Sequence, residues 1–200
     1  MLSIDKFRYE LQNEIEIFIN SISDEQQRNQ MRFVFCGDCK TPTWGSLARG
    51  SLLLLLSGGG SVRNLLAIAI EVIHHASLIV DDQIDKAHTR RGKAAFWVKY
   101  SPEECILFSH VMVSMAITDL VTFDRSHDGV NHAQSYTLEA MRHMFDAELE
   151  SRQMLFYNLE IYLSRARRKT GSLYGLVGQL AGLIPTTVIS NRNSCVSALQ

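Results

Sequence analysis

The side chains best equipped for chemistry lie in one stretch, Glu71-Val72-Ile73-His74-His75-Ala76-Ser77-Leu78-Ile79-Val80-Asp81-Asp82-Gln83-Ile84-Asp85, followed closely by Arg90-Arg91-Gly92. A helix advances about 100° per residue, so with Glu71 at zero, His74, Leu78, Asp81 and Asp85 fall at roughly 300°, 340°, 280° and 320°. One stripe thus carries Glu, His and two Asp, with Asp82 beside it, while Ile73, Ile79, Val80 and Ile84 occupy the other faces. A solvated surface helix would not be apolar on its remaining sides, so the stripe is expected to line a cavity inside the protein. Two carboxylates roughly 6 Å apart repel by about 3 kcal/mol at an effective dielectric of ~20. Acids at a helix C-terminal end also meet the negative end of its dipole. A hard cation removes both penalties. Mg²⁺ takes one or two carboxylates plus waters and substrate phosphates, which makes Asp81, Asp82 and Asp85 candidate metal ligands. The plainer alternative is a solvated acidic helix end beside a basic loop.

Two basic groups are of the type that would complete such a site. One is Arg90, Arg91 and Lys93; the other is Arg165, Arg167, Arg168 and Lys169, with Thr170 next. Acids that hold a metal, together with Arg and Lys that hold phosphate oxygens, describe a diphosphate site. Read alone, the run at 165–169 is a solvated helix end.

The elements that must carry these groups read as helices almost throughout. Asp5 to about Ile22 is a helix, and Ser23-Asp24-Glu25 caps the next. Cys36 to Trp44 is irregular. Leu47 to Leu56 is a helix stopped by Ser57-Gly58-Gly59-Gly60, and Ser61 caps a long central helix to about Lys86. The glycine triplet is not a phosphate loop, because no strand precedes it and no Gly-Lys-Ser/Thr follows. Arg90 to Lys99 is a loop or short helix. Ser101-Pro102-Glu103-Glu104 starts a helix, with Pro at its first position, that reaches about Phe123. Arg125 to Asn131 is a turn, and helices follow over about 132–154 and 157–183. Strand signals are absent apart from Thr186 to Ile189.

Two hundred residues, 46% of them apolar and only three of them Pro, suit a single helical domain over 1–200 with a sizeable core. A net charge of -1 gives no reason to expect a nucleic-acid partner. Of Cys36, Cys39, Cys105 and Cys195, only the first two are paired by spacing, and nothing completes a zinc site. Reduced structural thiols and a cytoplasmic location are expected. There is no basic start followed by an apolar core of the signal-peptide kind. Leu52 to Leu56 is far short of a membrane span. Val62 to Val80 is interrupted by Arg63, Asn64, Glu71 and two histidines, and reads as a core helix, so no transmembrane segment is expected.

The chain resembles the trans-polyprenyl diphosphate synthases, the family that includes farnesyl and geranylgeranyl diphosphate synthases. The resemblance rests on the 71–85 stretch, on Arg90-Arg91-Gly92 four residues later, and on Lys169-Thr170-Gly171-Ser172-Leu173-Tyr174; it extends from about residue 30 onward. It implies an all-α isoprenoid synthase-type helical bundle that condenses an allylic prenyl diphosphate with isopentenyl diphosphate. By the same resemblance Asp81 and Asp85, with Asp82 beside them, would bind Mg²⁺. Arg90, Lys169 and Thr170 would hold the allylic diphosphate, and His74 and Arg91 would contact isopentenyl diphosphate. Metal and cations would stabilise the departing diphosphate in a site closed to water. Members with short products carry bulky aromatics just upstream of the aspartates. Here Ala76 and Ser77 stand at that level, which suggests an open tunnel and a product of geranylgeranyl length or longer; close helix packing is the alternative.

Two departures from the family pattern stand out. A second Asp-Asp-x-x-Asp is expected on a helix after Lys-Thr, just beyond residue 200, and the last acidic residue is Glu160. On that pattern the chain is expected to be a shortened synthase or a relative without its own catalysis. The Gly-Gly-Lys-x-x-Arg-Pro element that binds isopentenyl diphosphate is represented only by Lys40, with Arg49 as its arginine when counted back from Gly58. Two other readings stand beside the synthase: a non-catalytic regulatory or scaffolding subunit, and a class I terpene cyclase. Apolar helices such as 105–123 exceed what one chain can cover, so a homodimer, or a heterodimer with a related synthase subunit, is expected.

Overall fold

A computed structural model describes residues 4–37, 44–127, 132–153 and 158–184. The chain opens with α1 (Ile4–Ser21) and α2 (Glu25–Cys36), then α3 (Ala48–Ser57) and the central α4 (Ser61–Ile84). A small hairpin, β1 (Thr89–Arg90) and β2 (Lys93–Ala94), leads through the single turn of α5 (Phe96–Lys99) into α6 (Pro102–Ser126) and α7 (His132–Gln153). The last part is α8 (Leu159–Ala166), a π-helical turn (Arg167–Gly171) and α9 (Ser172–Leu183).

α4 is the axis of the core. Leu66, Ala67, Ile68, Ala69, Ile70, Val72 and Ile73 are all buried, so apart from Glu71 this segment is apolar on every side, as a helix surrounded by others must be. α6 runs along one flank and α3 along another. α6 contributes Cys105, Phe108, Met112, Ala116, Leu120 and Phe123, spaced three and four apart. α1 contributes Phe7, Leu11, Ile15 and Ile19 at every fourth position. α9 packs between α3 and α7, through Leu173, Leu176, Val177 and Leu180.

The helix ends follow local chemistry. Asp24 caps α2 by accepting from Gln27 N–H at 2.7 Å, and Ser101 caps α6 by accepting from Glu104 N–H at 3.0 Å, with Pro102 at the first helical position. Gly58 closes α3 at φ 86°, a left-handed conformation that glycine adopts without a Cβ clash. Gly60, not Ser61, is the cap position of α4.

Two further expectations are corrected. The stretch after Arg90 is an antiparallel hairpin with Arg90 opposite Lys93, although the sequence shows no strand alternation there. Arg91 and Gly92 form its two-residue turn at φ 52° and 76°; positive φ at both positions is the type I′ requirement that matches strand twist. The expected helix over 157–183 is interrupted by the π turn. Thr186 to Ile189, Cys39 and Cys195 lie outside the described residues.

Among the described residues two helical stretches, Arg63–Ile84 and Pro102–Ser126, are long and apolar enough to cross a membrane by length and composition. The first is the core helix. The second leaves Leu107 67% exposed and Ile106 46% exposed.

Candidate functional site

The last turns of α4 aim its aspartates in two directions. Asp81 and Asp85 are four residues apart and share a face, whereas Asp82 is turned toward the hairpin. Asp82 is only 4% exposed. Arg90 of β1 donates to both its oxygens, Nε to Oδ2 at 2.5 Å and Nη2 to Oδ1 at 2.6 Å. This two-point fork holds the hairpin against the end of α4. Its neighbour Arg91, held in the left-handed turn, lies over Gly45. A Cβ there would come within 2.6 Å of the Arg91 guanidinium. Asp82, Arg90, Arg91 and Lys93 border a small cavity of about 40 Å³ beside α2.

On the other side of α4, Lys169 of the π turn reaches Asp81 at 3.3 Å and Glu148 of α7 at 2.7 Å. Arg152, one turn beyond Glu148, bridges back, 3.2 Å from Glu148 and 3.3 Å from Asp85. Arg165 approaches Glu148 at 3.4 Å. The result is an alternating chain of charge, Asp81–Lys169–Glu148–Arg152–Asp85. Burial raises the Asp81 carboxyl pKa, and Lys169 offsets only part of the rise. Burial also opposes ionisation of Glu148, but the hydrogen bond and charge of Lys169, with Arg165 and Arg152, hold its pKa below the usual range. The basic run expected at 165–169 is therefore divided. Lys169 and Arg165 turn inward, Arg168 donates to Glu150 at 2.6 Å, and Arg167 is exposed. π turns within α-helices are frequent at functional sites, and this one carries Lys169 and Thr170.

Asp81, Glu148, Lys169 and Thr170 line the polar end of a cavity of about 240 Å³, together with Arg49 and His74. Ser77, Val80 and Phe145 also border a second, largely apolar cavity of about 260 Å³, lined further by Ile73, Ala76 and Met141. A polar cavity adjoining an apolar one suits a ligand with a charged head and a hydrocarbon tail.

Behind the polar end lies a buried counter-charge. Glu71, 1% exposed, accepts from Gly50 N–H at 2.8 Å. Burial raises its pKa despite that bond and the nearby Arg49. His75 Nδ1 lies 2.8 Å from the Glu71 carbonyl oxygen. Burial, with Arg49, depresses His74 to about 2, and burial depresses His75 to about 3, so both imidazoles are neutral. Arg49 stacks over Tyr174 at 4.7 Å from the ring centroid.

Of the residues singled out from the sequence, Arg49, His74, Ser77, Asp81, Lys169 and Thr170 border the 240 Å³ cavity, and Ala76 and Ser77 border the apolar one. Asp82, Arg90 and Arg91 are grouped on the other side of α4. Asp85 is 63% exposed beside Arg152. Lys40 lies outside the described residues. Glu148 and Arg152 were not foreseen; their only sequence signal is an acid and a base four residues apart on a helix. Among the described residues no three His, Cys, Asp or Glu side chains converge as a metal cluster. The donors instead fit an ion satisfied by the two carboxylates of Asp81 and Asp85 plus water and phosphate oxygens, which is the habit of Mg²⁺.

A profile of the polyprenyl synthetase family matches residues 51–197. The chain belongs to the polyprenyl synthetase family. It is 30% identical over 139 residues to the hexaprenyl pyrophosphate synthase of Saccharolobus solfataricus, covering 66% of this chain and 45% of that protein. It is 26% identical over 160 residues to heptaprenyl diphosphate synthase component 2 of Geobacillus stearothermophilus, covering 70% and 49%. This polyprenyl synthetase chain thus spans less than half the length of these relatives. The crystal structure of a geranyltransferase from Legionella pneumophila superposes with a TM-score of 0.78 at 22% identity, over 92% of this chain and 68% of that one. The helical architecture is that of the isoprenoid synthases.

Proposed function

We propose that this chain is a trans-prenyltransferase, which joins an allylic prenyl diphosphate to isopentenyl diphosphate. One arrangement carries the reading. Asp81, 3.3 Å from Lys169, borders with Lys169 and Thr170 a polar cavity that adjoins an apolar one. Asp81 and Asp85 are the metal-holding carboxylates; they would hold a Mg²⁺ ion, which would supply positive charge for the leaving group. Lys169 and Thr170 hold the diphosphate oxygens as the C1–O bond breaks, and the diphosphate leaves with the electron pair. Arg49, Arg91 and neutral His74 orient isopentenyl diphosphate, whose double bond attacks C1; the proton then lost passes to the released diphosphate. The apolar walls formed by Ile73, Val80 and Phe145 keep water from the cation.

Asp82 contributes by fixing Arg90, and through it the hairpin that carries Arg91. Ala76 and Ser77 leave the tail cavity open, which favours a product of geranylgeranyl length or longer. The chain acts as one helical domain in the cytoplasm, as a homodimer or paired with a related subunit through the exposed apolar face of α6. The name of the Geobacillus relative, a component 2, supports the paired form.

The test is calorimetry of an allylic diphosphate with and without Mg²⁺, followed by prenyl transfer with labelled isopentenyl diphosphate for this chain and a C-terminally extended version. Mg²⁺-dependent binding that disappears in Asp81→Ala/Asp85→Ala is expected; binding unchanged in that variant would remove the metal assignment. Intact binding with no turnover in either form would instead make the chain a non-catalytic subunit.

A further inference from the structure

Glu148 is approached by three cations, Lys169 at 2.7 Å, Arg152 at 3.2 Å and Arg165 at 3.4 Å. Asp81 and Asp85 share two of these, each at 3.3 Å. Lys169 is therefore seated on Glu148 and only leans on Asp81, while Arg152 divides itself between Glu148 and Asp85. The three carboxylates come from different elements: two from the end of α4 and one from α7. An internal cation and a divalent metal compete for the same carboxylate oxygens, so whatever draws the internal cations away leaves the aspartates open.

We propose that Glu148 is a positioning residue that holds Lys169 and Arg152 back from Asp81 and Asp85, keeping both aspartates open to a divalent cation and Lys169 ready to transfer to a diphosphate. The proposal rests on the reading of Asp81 and Asp85 as the metal-holding pair. Without the Glu148 carboxylate, Lys169 would close on Asp81 and Arg152 on Asp85. The metal would then have to displace two ion pairs that are now half-made. Glu148 needs no contact with the metal to act in this way. It sets the resting place of the competing cations.

The test is binding of Mn²⁺ alone to the full chain, read from the loss of the free-ion electron paramagnetic resonance signal. A double-mutant cycle of Glu148→Gln and Arg152→Gln separates the explanations. Glu148→Gln is expected to weaken Mn²⁺ binding roughly three- to tenfold, and Arg152→Gln to tighten it roughly twofold in the unaltered background. The deciding quantity is the gain from Arg152→Gln once Glu148 is gone. It should exceed the gain with Glu148 present, because Arg152 then rests wholly on Asp85. Equal gains in both backgrounds would reduce Glu148 to a distant negative charge and overturn the proposal. Unchanged binding in Glu148→Gln would overturn it as well. Glu148→Asp, which keeps the charge but withdraws it by one methylene, covers the case in which the Gln variant does not fold; it should weaken binding in the same direction and less. If the unaltered chain and Asp81→Ala/Asp85→Ala bind Mn²⁺ equally poorly, the metal reading itself falls, an outcome distinct from either result of the cycle.

Discussion

Asp82 and Arg90 are eight residues apart and are locked together at two points, at 2.5 and 2.6 Å, with the carboxylate buried and the guanidinium reaching the surface. The pair ties the only strand pairing among the described residues to the end of the core helix. Asp82→Asn would leave Arg90 without its counter-charge in a partly desolvated place. Because the Arg end still meets water, a loss of about 2 kcal/mol is expected, below the full cost of splitting a buried pair. Urea denaturation of both forms measures it, and a change under 0.5 kcal/mol would remove the pair from the list of structural ties.

Gly50→Ala should destabilise the chain. A Cβ at that position would stand 2.5 Å from Leu11 Cδ2 and 3.0 Å from both the Ala67 carbonyl oxygen and Glu71 Cγ. Two of those neighbours belong to α4, so relief would have to come by moving α3, and the Gly50 N–H bond to Glu71 would move with it. A cost of roughly 1–3 kcal/mol is expected, or about 5 °C in the melting midpoint. An unchanged thermal melt would show that α3 shifts freely.

Stability should fall as pH is lowered from 7 toward 5, and His75 should account for part of the slope. Its folded pKa is depressed to about 3 from an ordinary 6.5, so between those values the unfolded chain binds a proton that the folded chain refuses. The contribution is complete above the unfolded pKa and is lost on acidification, at up to about 1.4 kcal/mol per pH unit. His74 adds in the same direction. Glu71 works against both, because its raised pKa lets the folded state take up a proton first. His75→Gln isolates this contribution: chemical denaturation at pH 5, 6 and 7 should give a flatter dependence than the unaltered chain. Parallel curves would mean that His75 is protonated in the fold.

Ala76→Phe should shorten the product of an active form. Ala76 is buried and borders the apolar cavity of about 260 Å³ with Ile73, Val80 and Met141, and a phenyl group there would project into it and shorten it. Chromatography of the prenyl products should show the distribution moving down by at least one five-carbon unit. A ladder of unchanged length would place the growing tail elsewhere.

Much of the frame was legible in the sequence because it depends on neighbours in the chain. Asp24, Ser101 with Pro102, and Gly58 announce helix ends through their own backbone chemistry. The period of α4 puts Glu71, His74, Asp81 and Asp85 on one stripe before any packing is considered. The hairpin was not legible, since two strands of two residues each leave no room for alternation; only Arg91-Gly92, as a turn pair, hinted at it. The sequence grouped Asp82 with Asp81 and Asp85 by type. The 100° between neighbouring residues sends Asp82 to Arg90 and Asp81 to Lys169. Glu148 was missed for a different reason. On α7 alone it is one acid among several, and its position opposite Lys169 exists only once α7 and the π turn pack together.

The wide turn at Arg167–Gly171 carries a further implication for how this chain can vary. Such a turn is an ordinary helix with one residue to spare. Removing any one residue there would heal it, fusing α8 and α9 into a single regular helix whose two ends keep their present faces. The apolar contacts of Leu173, Leu176 and Leu180 would survive the loss, yet the ammonium of Lys169 would swing away from Asp81 and Glu148. A deletion of this kind would therefore disturb the charges around Asp81 and Glu148 more than the apolar packing of α9.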